Sequence, residues 1–119
     1  MKNLRLLLTL SIAVLSAPTI AAADTEAGLQ AIKALGSVNC QALACSEVRL
    51  AARAKQLMLA HAPKTDRFGS AYEEATQAAY LAQARSGGAC PDGTALTDRI
   101  NRLALQLAAT LPVGGAASK

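Results

Sequence analysis

The chain has 119 residues, of which 52% are hydrophobic and only 3% aromatic, and its 12 basic and 8 acidic side chains leave a net charge of +4. That length holds one small domain with a modest core and excludes two. So few aromatic rings, with the basic residues scattered, argue against a nucleic-acid-binding face, which needs clustered positive charge and stacking platforms.

Residues 1–23, MKNLRLLLTLSIAVLSAPTIAAA, begin with Lys2 and Arg5, continue in an apolar run from Leu6 to Leu15 and end in Ala21, Ala22 and Ala23. This is the layout of a secretory signal peptide with a small-residue cleavage site. Its apolar run is about ten residues, short of the roughly 20 that span a bilayer. The expectation is cleavage near Ala23, giving a periplasmic or secreted chain with Asp24 at its start and no membrane span. Removing 23 residues leaves 96 of 119, and losing Lys2 and Arg5 takes the charge from +4 to +2.

Residues 24–111 read as a single helical domain. Leu29, Ile32 and Leu35 recur at helical spacing, which predicts a short first helix from Thr25 to Leu35 with Gly36 as its stop. The next segment, Asn39 to Ala62, has neither proline nor glycine and is rich in strong helix formers, so it reads as one long helix. Ser46, Arg49, Arg53 and Gln56 should face water, with Ala44, Val48, Ala51, Ala54 and Met58 on the other side. Pro63 ends it. Thr65 or Asp66 then caps a third helix whose buried stripe is Phe68, Tyr72, Ala75, Ala79 and Ala82, closed by Gly87 and Gly88. Asp92 or Thr94 caps the last helix, where Leu96, Ile100, Leu103, Leu107 and Leu111 keep one face. Pro112 terminates it, and residues 112–119 read as a disordered tail. No run alternates with period two.

The expected fold is all-α: a small antiparallel helical bundle of three longer helices plus a short N-terminal one, stapled by one disulfide. Three cysteines raise the question of which two pair. If Cys40 and Cys45 are both helical, five residues separate them by about 7.5 Å along the axis, beyond the Cα distance of about 7 Å that a disulfide tolerates. Antiparallel packing of the second and third helices would return Cys90 to their end. Cys45 inside the helix is the favoured partner and Cys40, at the helix start, the alternative. The bridge closes a loop of some 45 residues, for about 4 kcal/mol of chain-entropy stabilisation. Cys40 is then left as an inert half-buried thiol, a free reactive one, or the link of a disulfide-bonded homodimer.

No constellation carries chemistry. His61 lies sixteen residues beyond Cys45, about 24 Å along a helix, so the two cannot share a zinc ion. Met58 and His61 share a face that Cu(I) could use, but two ligands are too few. Glu73 and Glu74 are adjacent and diverge by about 100°. The sequence therefore implies no enzyme, no cofactor and no metal site. Lys64, Arg67, Glu73, Gln77 and Tyr80 form the candidate partner surface, since arginine and tyrosine are favoured at binding hot spots. The function expected is a non-enzymatic protein-binding module of the bacterial envelope, of the inhibitor, immunity or secretion-accessory type, whose partner is another exported protein. The alternative is a periplasmic stress chaperone, followed by a copper-handling protein.

Overall fold

The computed structural model describes residues 20–113, with side chains from Glu26 onward. The expected signal peptide falls mostly on residues 1–19 and the expected tail mostly on 114–119, so both lie outside the described residues. Four helices follow one another: α1 Ile20–Ala44, α2 Val48–His61, α3 Asp66–Arg85 and α4 Gly93–Thr110. There is no strand among the described residues.

The first boundary differs from expectation. α1 is a helix of 25 residues, the longest among the described residues; it runs straight through Gly36 and Ser37 and stops nine residues later than the glycine rule implies. A glycine inside a helix costs about 1 kcal/mol against alanine. Here its missing side chain admits α3: a Cβ on Gly36 would lie 2.5 Å from the Tyr72 carbonyl oxygen. The Thr76 hydroxyl stands against the same point, 3.2 Å from the Gly36 carbonyl and 2.8 Å from that of Tyr72.

The helix ends instead at Ala44, and Cys45 and Ser46 form a turn without glycine. Ser46 adopts the left-handed conformation with φ of 61°, the Ser46 N–H donates to the Leu43 carbonyl, and the Glu47 N–H donates back to Ala42 at 2.8 Å. That pair of bonds is the Schellman termination. α3 ends the same way, with Gly87 at φ 76° and the Gly88 N–H donating to Gln83 at 3.2 Å. At α4 the expected cap is present: the Asp92 carboxylate accepts from the Thr94 N–H at 3.3 Å.

α1 is the hub. It packs on α2, α3 and α4; α2 also packs on α4, whereas α2 and α3 do not pack on each other, nor do α3 and α4. This corrects the expected packing of the second helix on the third. Its physical reason is the length of α1, whose several small-residue and branched apolar faces give each of the other helices a seat. Side-chain contacts show the directions. Arg67 pairs with Glu26 at 3.1 Å and Thr76 reaches Gly36, so α3 runs with α1. Leu111 fills the space over Gly28 and the Arg99 guanidinium donates to Gln41 Oε1 at 2.8 Å, so α4 runs against it. The guanidinium of Arg53 donates to Asn101 Oδ1 at 2.6 Å, which brings this residue, expected to face water, partly inside.

The core collects Leu29, Ile32, Leu35 and Val38 from α1, Ala54 from α2, Phe68 and Ala71 from α3, and the complete Leu96, Ile100, Leu103, Leu107, Leu111 stripe at α4. No polar residue is buried among the described residues. Three expected core positions fail: Ala44 and Ala82 are exposed, and Val48, now the first residue of α2, is 69% exposed.

Candidate groove between the second and third helices

Because α2 and α3 both lean on α1 without meeting, a groove opens between them. Its upper part encloses about 670 Å³ and is lined by Asn39, Cys40 and Leu43 of α1 and by Tyr72, Glu73, Thr76, Gln77 and Tyr80 of α3. Across Leu43 it continues into a further 480 Å³ bounded by Val48, Ala52 and Lys55 of α2, with Asn39 and Tyr72 common to both parts. Leu43 is 58% and Tyr80 65% exposed. An apolar floor between two helical walls, rimmed by amides, hydroxyls and two charges, suits the burial of another apolar surface.

Five residues were expected to form a partner surface, and the structure divides them. Glu73, Gln77 and Tyr80 line the groove together. Arg67 is held in its ion pair with Glu26, and the Lys64 ammonium donates to the Leu59 carbonyl at 2.9 Å, so these two stand apart at the other end. Leu43, Val48 and Lys55 were missed as surface residues. Reading Asn39 to Ala62 as one helix hides them, because the break at Cys45 is what sends Leu43 and Val48 to different walls.

The disulfide joins Cys45 to Cys90 with Cα atoms 5.6 Å apart and a sequence separation of 45. Its setting differs from the expected one. Cys45 caps α1 at the turn, rather than standing inside a helix, and Cys40 is interior to α1 rather than at a fraying start. The bridge ties the α1–α2 turn to the α3–α4 loop. Cys40 is the free cysteine and is buried; burial pushes its thiol above the ordinary value. Tyr72, half-buried beside it, is pushed upward for the same reason.

His61 Nδ1 lies 2.7 Å from the Leu111 carbonyl oxygen. A carbonyl only accepts, so the proton sits on Nδ1 and the ring fastens the end of α2 to the end of α4. Met58 packs against the core beside it. Among the described residues no three His, Cys, Asp or Glu side chains stand close enough to hold a metal ion, and no helix is long and apolar enough to cross a membrane. Glu73 and Glu74 are both exposed and diverge.

No family model matches the chain, and neither does any curated protein or solved structure.

Proposed function

We propose that the chain is an exported, non-enzymatic protein-binding module that takes an apolar strip of another polypeptide into the groove between α2 and α3. The observation that carries this reading is the exposure of Leu43, Val48 and Tyr80 on one face, over a floor that no helix among the described residues covers. The disulfide and the packing of α2, α3 and α4 on α1 supply the rigid support that lowers the ordering cost of binding. Export, through cleavage near Ala23, places the partner in the envelope or outside it.

The test is capture from envelope extract by immobilised protein. The expected outcome is a stoichiometric complex that Leu43→Glu abolishes and Tyr80→Ala weakens at least about tenfold, as buried tyrosines at hot spots do, with helix content by circular dichroism unchanged. Capture that is absent across growth conditions, or indifferent to Leu43→Glu, defeats the proposal. The same exposed apolar face supports a second reading as a stress chaperone, in which it shields unfolding clients. That reading requires the protein to suppress light scattering of an aggregating client at low pH.

A further inference from the structure

We infer that the groove is covered by a second copy of this chain, the two copies facing each other across a two-fold axis that runs along the groove. The inference rests on reading this groove as a protein-binding surface and names its occupant.

The argument begins with shape. α2 presents an exposed ridge of Val48, Ala52, Lys55 and Leu59, spaced by four, three and four residues and so aligned along one side of the helix. The ridge extends about 17 Å at helical rise. Val48, Ala52 and Lys55 of this ridge form one wall of the groove, with Tyr72, Gln77 and Tyr80 on the wall opposite. A ridge beside a trough of similar length is the arrangement that a second copy can fill in both directions at once, as isologous pairing requires.

Charge selects the axis. Lys55 stands on the α2 wall and Glu73 on the α3 wall. The Arg67–Glu26 contact is the ion pair among the described residues, so neither Lys55 nor Glu73 has an opposite charge within its own chain there. Lys55 lines its part of the groove with Tyr72, and Glu73, the next residue of α3, lines the adjoining part, so the two opposite charges stand on facing walls near the junction of the two parts. Rotation about an axis along the groove keeps every level and exchanges the walls. Lys55 then meets Glu73 of the second copy, and the contact occurs twice. An axis across the groove would instead set Lys55 against Lys55 and Glu73 against Glu73, at a cost. The exposed Leu43, Val48 and Tyr80 of the two copies close over the apolar floor about 10 Å from these pairs, toward the disulfide end of the groove.

Such a dimer is non-covalent. Cys40 is buried among the residues that line the groove, and the pairing needs no bond from it.

The experiment is light scattering coupled to size exclusion, with sedimentation equilibrium to give the dissociation constant. The wild-type protein is expected at the mass of two chains, and so is Cys40→Ala. Lys55→Glu and Glu73→Lys each replace two attractions by two repulsions and should weaken association at least about tenfold; the double variant restores opposite charges across the axis and should recover most of the loss. Both positions are solvent-exposed, so folding is not at issue, and circular dichroism verifies it. A wild-type mass of one chain at every concentration overturns the inference, as does a dimer that the charge reversals leave unchanged. If the protein is monomeric while capture of an envelope partner still depends on Leu43, the self-pairing fails and the binding role stands. A dimer rescued by the charge swap, with no foreign partner captured, supports the pairing and ends the role in recognising other proteins.

Discussion

Cys40 and Tyr72 both line the groove, and burial raises the pKa of both. For each, the neutral form is the one that folding prefers. Their contribution to stability is therefore complete below the ordinary thiol and phenol values and is lost as pH rises through the raised values of the folded protein, because the unfolded chain releases its protons first. Urea midpoints should fall on the alkaline side of neutrality, and in Cys40→Ala/Tyr72→Phe that alkaline fall should be shallower. Maleimide labelling checks the same burial kinetically: one thiol per chain, slow in the native protein at neutral pH and fast in urea. Equal labelling rates in the two conditions would show that Cys40 is not covered.

At the scale of the element, two glycines in helix interiors make opposite predictions. Gly36 sits where α1 and α3 are closest, and a Cβ there meets the Tyr72 carbonyl and the Thr76 side chain. Gly36→Ala should destabilise by about 1–3 kcal/mol, the usual range for overpacking. Gly69, in the first turn of α3, has nothing within 4 Å of a built Cβ. Gly69→Ala should stabilise by about 0.5–1 kcal/mol through backbone entropy alone. Urea denaturation of the pair reads both signs, and a Gly36→Ala protein as stable as the wild type would refute the close approach of the two helices. Gly28 lies between these cases: its built Cβ meets the side chain of Leu111, which can yield where a carbonyl cannot.

For the whole molecule, the covalent staple matters because α3 packs on α1 alone among the helices. The chain leaves α3 through an exposed loop containing Cys90 before it returns to the core at α4. Joining Cys90 to Cys45 at the turn fixes that loop to the hub helix and closes 45 residues. Cys45→Ala/Cys90→Ala should lose about 4 kcal/mol on the chain-entropy estimate, a large part of the 5–15 kcal/mol expected for a domain of this kind. Urea unfolding of the double variant measures it, and retained helix content would show that the bridge secures the fold rather than specifying it. A loss near zero would mean that the loop is already held by packing.

Local chemistry was enough for much of this fold. The leucine stripe at α4 repeats too regularly to face anything but a core; Pro63 cannot continue α2, and Gly87 takes a left-handed conformation that other residues enter only under strain. Helical rise alone separates Cys40 from Cys45 and leaves Cys90 as the available partner. The groove was legible only in part, through Glu73, Gln77 and Tyr80 on one face of α3. Tertiary structure decided the rest. Gly36 obeys the neighbouring helix rather than the local preference to stop, because close approach to the Tyr72 backbone outweighs the small intrinsic cost of glycine in a helix. Ser46 accepts a left-handed turn that its side chain does not favour, because the packing on either side of it requires one there. Alanine-rich faces carry little information about which neighbour they meet, so the choice of α1 as the hub, the separation of α2 from α3 and the groove that results all depend on how four helices share one core.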